Sequence, residues 1–68
     1  MDERTRQLCQ TIANIVAKNN GRISGSKLVV QLYRSLPWAK QALASVSKKS
    51  FVQKHGKEFG LVWVEAAG

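Results

Sequence analysis

The side chains of this chain best suited to chemistry lie close together, in the short stretch from Ser47 to Lys57. Lysine ammonium groups neutralise phosphates as point charges, a serine hydroxyl can donate to a phosphate, and a glutamine amide offers a donor and an acceptor to a base edge. The stretch contains no arginine, so we expect it to position a nucleic acid without strong sequence choice. Its polar residues are called the basic cluster here: Lys48, Lys49, Ser50, Gln53, Lys54 and Lys57.

No set of residues predicts catalysis or metal binding. General acid–base chemistry needs two tuned groups that converge, whereas the acids lie near the two ends of the chain and His55 is the single imidazole. Cys9 and His55 could form a nucleophile and a base, but Cys9 falls on the apolar side of a predicted helix, where a small buried thiol is the usual finding. One cysteine and one histidine cannot close a zinc site, and no glycine-rich phosphate loop is present. We therefore predict a protein that is not an enzyme and has no cofactor.

The charge distribution favours a polyanionic partner. The 68 residues carry 11 Lys and Arg against 4 acids, a net charge of +7. All of these bases lie between Arg4 and Lys57, and no Asp or Glu does. Such a body cannot neutralise its own bases, and its surface potential is positive almost everywhere. Nucleic acid is the first candidate partner, and an anionic membrane surface is the second.

Composition also bounds the class of protein. A hydrophobic fraction of 44% allows a modest core in a chain near the lower size limit for folding without metals or disulfides. The single cysteine excludes a disulfide framework and fits a reducing compartment, so we expect an intracellular protein, cytoplasmic or nuclear. No apolar run approaches the ~20 residues of a bilayer span, and the N-terminus is unlike a signal peptide. We expect residues 1–68 to form a single domain excised from a longer protein.

Hydrophobic periodicity predicts two helices in the first half of the chain. The first runs from Asp2 to Asn20, and the second begins with Ser24 or Ser26 as its N-cap and ends before Pro37. Between them, Arg22-Ile23 is expected to be a very short extended piece. The positions that face the core are Leu8, Ile12, Ile15 and Val16 in the first helix and Leu28, Val29, Leu32 and Leu36 in the second. Three further bases could extend the basic cluster: Arg22, Lys27 and Arg34.

The second half predicts a connector, a basic helix and a strand. Residues 38–46 have helical tendency, either as a full helix or as a few turns. Ser47 is a plausible N-cap for a helix from Lys48 to His55, and Gly56 suits the left-handed position just past its end. Residues 59–64 alternate like a strand, whose partner is either Arg22-Ile23 or the chain's own end. The expected core contacts are Trp38, Ala42, Leu43 and Val46 in the connector and Phe51, Val52 and His55 in the basic helix.

This order of elements is the plan of a compact winged helix-turn-helix, and the chain resembles the LOTUS (OST-type helix-turn-helix) domains of RNA-regulatory and germline proteins. The resemblance covers Leu8 to Val64 and rests on three stretches: residues 20–24 (NGRIS), residues 28–36, and residues 50–55 (SFVQKH) leading to Phe59. The chain departs from the family in lacking a glycine-bearing turn before the third helix and in having a short wing. The resemblance implies a non-catalytic module that binds RNA or a protein partner.

The sequence therefore predicts a mainly α, winged-helix-like domain of three to four helices with a small β element. Its predicted function is binding of nucleic acid, RNA ahead of DNA, through the helix at 47–55. RNA is placed first only because of the LOTUS-like resemblance. The alternative is a protein-interaction module that holds a partner such as an RNA helicase in a groove of the second helix and the chain's end.

Overall fold

Five helical segments form the protein in the computed structural model, which describes residues 2–65. They are α1 (Glu3–Lys18), α2 (Gly25–Ser35), α3 (Ala39–Ala42), α4 (Lys48–His55) and a 3₁₀ helix (Gly56–Phe59). α1 packs against α2, α4 and the 3₁₀ helix. The prediction of a mainly α domain is confirmed. None of the helices in the described part of the chain is long and apolar enough to cross a membrane.

The ends of α1 follow the capping rules of the sequence. Asp2 Oδ1 accepts a hydrogen bond from the Thr5 N–H at 2.8 Å and so satisfies one of the free donors of the first turn. At the other end, Asn20 and Gly21 adopt positive φ values of 62° and 89°, and the Gly21 N–H donates to the Val16 carbonyl at 2.9 Å. The Asn19 amide also donates to Gln31 Oε1 at 3.2 Å, which ties the end of α1 to α2. The predicted first helix is confirmed to within two residues at its end.

The limits of α2 are set by a capping serine at its start and a proline just after its end. Ser24, one of the two predicted caps, accepts the Lys27 N–H on its hydroxyl oxygen at 3.3 Å. The last helical residue is Ser35, followed by Leu36 as the C-cap and then Pro37, whose ring disfavours helical geometry in the residue before it. Both predicted limits of the second helix are confirmed.

The core lies where α1, α2 and α4 meet. Leu32 is 1% exposed and Cys9 is fully covered, so these two positions mark the centre of the packing. Val16, Ile23, Tyr33 and Leu36 are partly buried and pack around it. The buried cluster comprises Leu8, Cys9, Ile12, Ile15, Leu28, Leu32, Ala39, Leu43 and Phe51.

The connector after Pro37 contributes different core residues from those predicted. α3 is a single turn and its register turns Ala39 and Leu43 inward, as expected for positions four apart on a helix. The predicted core positions Ala42 and Val46 are wrong, because both are exposed, Val46 by 42%. Ala39, which is fully buried, was not predicted.

α4 has the predicted limits, Lys48–His55, but the chain continues differently after its last residue. The Ser47 hydroxyl oxygen accepts the Ser50 N–H at 3.0 Å, and Phe51 and Val52 are buried. The left-handed conformation predicted for Gly56 is wrong: its φ is −75° and the chain passes straight into the 3₁₀ helix. Gly56 is needed for space instead, because a Cβ there would lie 2.9 Å from the Cβ of Leu61.

The predicted strand at 59–64 is not formed. Phe59 belongs to the 3₁₀ helix, and residues 61–65 have no regular secondary structure, nor does Arg22-Ile23. The left-handed turn falls at Gly60, with φ 73°. Burial still alternates, since Leu61 and Trp63 are half-buried while Val62 and Val64 are 81% and 78% exposed. A lone strand has no partner for its backbone groups. The alternating residues therefore give this segment an inward and an outward side, but no sheet forms.

Candidate nucleic-acid interface

α4 carries most of the basic cluster on its solvent side. Phe51 and Val52 are buried and His55 is half-buried, which fixes the inner side of the helix. Residues four apart on a helix share a side, so the outer side has two edges: Lys49 with Gln53, and Ser50 with Lys54. All of these four residues are exposed.

Lys48 differs from the other lysines because it starts on the inner side of α4. It lines the same small apolar cavity, of about 10 Å³, as Val29 and Tyr33 of α2. The residue as a whole is exposed, as expected when an aliphatic stem lies along an apolar surface and the ammonium group reaches water. The Lys48 side chain therefore lies at the contact between α4 and α2.

Lys49 is engaged by the C-terminal segment. Its ammonium group forms an ion pair with the Glu65 carboxylate, and both side chains remain about half or more exposed. An exposed pair of this kind contributes little stability, but it sets a negative charge beside the Lys49–Gln53 edge.

The Ser50–Lys54 edge borders an open groove of about 470 Å³ between the start of α1, the segment after α3, and α4. The Ser50 hydroxyl oxygen accepts from the Ser47 hydroxyl at 2.8 Å, and a hydroxyl that accepts one hydrogen bond can still donate another. Arg4, at the start of α1, also lines this groove. Within residues 2–65, the edge combines an ammonium group that forms no ion pair and a hydroxyl group with an apolar recess. The residues that line the groove include Arg4, Leu8, Val46, Ser50, Phe51 and Lys54.

The remaining predicted site residues are exposed but spread over the surface. Lys57 lies on the 3₁₀ helix and Arg22 in the link before α2. Lys27 and Arg34 are seven residues apart on α2, on the side opposite the buried Leu28 and Leu32. Lys57 lies three residues after Lys54 on the 3₁₀ helix that continues α4 and packs against it, whereas Arg22, Lys27 and Arg34 lie on other elements. Within residues 2–65, none of the ion pairs involves Arg22, Lys27, Arg34, Lys48, Lys54 or Lys57.

Arg4 is the residue that sequence reasoning missed. It was not among the predicted site residues, and its guanidinium carbon lies 5.6 Å from the centre of the Trp38 ring, a cation–π geometry. The neighbouring Arg6 is instead bound to Glu3 at 2.6 Å. Arg4 and Trp38 are far apart in sequence, and no local pattern connects them.

Cys9 and His55 do not form a nucleophile and base. The contact runs from Cys9 Sγ to the backbone carbonyl of His55 at 3.7 Å, and the imidazole packs beside the Phe51 ring with 5.0 Å between ring centres. Burial, with a smaller contribution from the Glu58 carboxylate, raises the pKa of the Cys9 thiol above its ordinary value. The thiol is therefore neutral at neutral pH. The described residues contain no group of three potential metal ligands among His, Cys, Asp and Glu.

Comparisons of the chain with protein-family models, curated proteins and solved structures find no match. The resemblance to LOTUS domains thus rests on the sequence stretches quoted above, and the function has to be argued from the site itself.

Proposed function

We propose that this protein is a non-catalytic module that binds nucleic acid, RNA in preference to DNA, through the outer side of α4. The proposal is carried by one observation: Ser50 and Lys54 stand together on that side, exposed, and no ion pair within residues 2–65 engages Lys54. A phosphate on this edge would gain a charge and a hydroxyl donor at once.

The positions of the acids support this assignment. Asp2 caps α1, Glu3 binds Arg6, and Glu65 binds Lys49. The only other acid in the sequence is Glu58. Asp2 lines the groove beside the Ser50–Lys54 edge, but no ion pair within residues 2–65 joins a carboxylate to Lys54, and the net charge of +7 attracts a polyanion.

A winged helix-turn-helix arrangement fits this proposal, with α2, the single turn of α3, and α4 as the helix that contacts the ligand. The support is the order of the elements and the exposed basic side of α4. RNA is placed ahead of DNA by the LOTUS-like sequence stretches. A module of this kind would act in the cytoplasm or nucleus.

A protein-interaction module is the second candidate, with an RNA helicase as the kind of partner that the LOTUS-like resemblance implies. The observation that favours it is the exposure of valines on α2 and in the C-terminal segment: Val30 by 53%, Val62 by 81% and Val64 by 78%. Exposed apolar side chains that lie together mark protein interfaces, whereas single ones are ordinary.

Salt dependence separates the two candidates. Phosphate binding releases counterions, so the affinity for an RNA hairpin should fall steeply as salt rises, with a slope in the logarithmic plot of about 0.7–0.9 for each phosphate contacted. We expect a slope that corresponds to several contacts when affinity is measured by fluorescence anisotropy between 50 and 200 mM salt, about the range over which such losses are large. A flat response would contradict binding through the lysines and favour the protein partner.

A further inference from the structure

The groove beside the Ser50–Lys54 edge is lined in part by apolar side chains that are exposed to solvent. Val46 is 42% exposed and Ala42 is also exposed, yet both line the groove. Behind them lie Leu8, Leu43 and Phe51, which belong to the core. The groove therefore has an apolar recess that is continuous with the hydrophobic core, and a rim of polar residues: Asp2, Arg4, Thr5, Ser50, Lys54 and His55.

Cations stand on two sides of this recess. Lys54 borders it on α4, and Arg4 borders it at the start of α1. The Trp38 ring lies under the Arg4 guanidinium at 5.6 Å, which restrains the side chain while its N–H donors remain available. The one carboxylate in the lining, Asp2, accepts the Thr5 N–H, and this hydrogen bond is the chief cause of the lowered pKa of Asp2.

An apolar recess between two cations is complementary to a nucleotide, which has a flat, weakly hydrated base between charged phosphates. We propose that this groove takes one unpaired base of a single-stranded nucleic acid, with the flanking phosphates on Lys54 and Arg4. The inference rests on the proposed function and narrows it to single strands. The volume of about 470 Å³ lies in the range of about 300–1,000 Å³ usual for small-ligand sites.

A duplex offers no unpaired base to the groove. Their bases are stacked and paired, whereas single-stranded loops and ends can turn a base out into a protein pocket. Base contacts of this kind tolerate many sequences, since every base has a flat apolar face. The proposed site would therefore prefer single-stranded over double-stranded nucleic acid and would bind many base sequences.

The test compares two single strands that have equal backbones and differ in their bases, together with a duplex whose bases are paired. The probes are a single-stranded U10 oligonucleotide, a decamer of abasic ribose phosphates, and a 10-base-pair RNA duplex, each measured by fluorescence anisotropy. We expect U10 to bind at least about fivefold more tightly than the abasic decamer, the gain from burying about 40 Å² of apolar base surface. Equal affinity for the two decamers would overturn the inference and leave the proposed function standing, because binding through phosphates would persist.

A matched pair of variants locates the effect. Val46→Ser removes an apolar wall of the groove without changing charge, and Val30→Ser makes the same change on α2, at a valine of similar exposure outside the groove. We expect Val46→Ser to weaken U10 binding about fourfold, the loss of about one buried methylene group, and to leave the abasic decamer unaffected. We expect Val30→Ser to change neither. Thermal unfolding of both variants shows whether the fold is intact.

The remaining outcomes are also decisive. Loss of U10 affinity to the same extent in both valine variants would overturn the placement of the base in this groove. If none of the three nucleic acids binds, the proposed function fails and the inference fails with it. An acidic decapeptide, poly-Glu, serves as the protein-like probe: if it binds and Val46→Ser weakens it while U10 does not bind, the groove belongs to a protein partner.

Discussion

At the scale of single residues, the pairing of Lys49 with Glu65 makes the lysines of α4 unequal. If the outer side of α4 binds phosphates, Glu65→Gln should release Lys49 and strengthen RNA binding. An exposed ion pair is worth about 0.2–1 kcal/mol, so the expected gain in affinity is about 1.5- to 5-fold by fluorescence anisotropy.

The matched control for this change is Glu3→Gln, which also removes one acid and releases one base, Arg6. It should strengthen binding less, because Arg6 lies on α1 and outside the basic cluster. Equal gains in the two variants would mean that only net charge matters.

Cys9 provides a second prediction at this scale. Its thiol is fully covered, and burial raises its pKa above the ordinary value of 9.0. Since the thiolate is the reactive form, labelling by a thiol reagent at neutral pH should be slow in the folded protein and fast in denaturant. Rapid labelling of the folded protein would contradict the packing of α1 against α4.

Some residue roles follow from local sequence and others do not. The caps at Ser24 and Ser47 and the buried Cys9 could be predicted, because each depends on neighbours within one or two helical turns. The Arg4–Trp38 and Lys49–Glu65 pairs could not, because each joins segments that only the tertiary fold brings together.

At the scale of the elements, α2 is held in place by Leu32, which is 1% exposed. Leu32→Ala should lower the free energy of unfolding by about 2–5 kcal/mol, since it leaves a cavity in the core. The control is Val30→Ala on the same helix, where the side chain is 53% exposed and little change is expected. Thermal and urea unfolding measure both, and an unchanged midpoint for Leu32→Ala would mean that the buried side of α2 is assigned incorrectly.

Gly56, at the junction between α4 and the 3₁₀ helix, and Gly25, at the start of α2, should respond differently to substitution by alanine. A Cβ at Gly56 would meet Leu61 Cβ at 2.9 Å, whereas one at Gly25 would meet only the tip of the Trp63 ring at 3.4 Å. Gly56→Ala should therefore destabilise by about 1–3 kcal/mol through overpacking. Gly25→Ala should be neutral or stabilising, because alanine favours helix more than glycine does. The reverse order in thermal unfolding would contradict the packing of Leu61 on α4.

Helices were predicted correctly where the apolar periodicity extends over several turns and a capping residue lies nearby. α1, α2 and α4 have periodic apolar positions and capping residues, and their limits were predicted to within two residues. α3 is one turn, too short for a periodic signal, so the choice between Ala39 and Ala42 depends on how the turn meets the core. Residues 61–65 show the alternation of a strand, but a strand also needs a partner with free backbone groups, which sequence alternation does not report.

At the scale of the whole molecule, the sequence showed the excess of positive charge and the acid-free interval from Arg4 to Lys57. It did not show that the bases are distributed over several sides, with Lys27 and Arg34 on the outer side of α2 and Lys54 beside a groove. The central claim is therefore about one place, the Ser50–Lys54 edge, and a test has to separate that place from the general charge.

The most direct measurement compares the RNA affinities of Lys54→Gln and Lys18→Gln. Each variant removes one positive charge from an exposed lysine near the end of a helix, and Lys18 lies ten residues along α1 from Leu8, the nearest α1 residue in the groove lining, a distance of about 15 Å at 1.5 Å per residue. We predict that Lys54→Gln weakens binding of an RNA hairpin and lowers the salt slope by about 0.7–0.9, the loss of one phosphate contact, while Lys18→Gln leaves the slope unchanged. Equal effects of the two substitutions on affinity and slope would contradict the account.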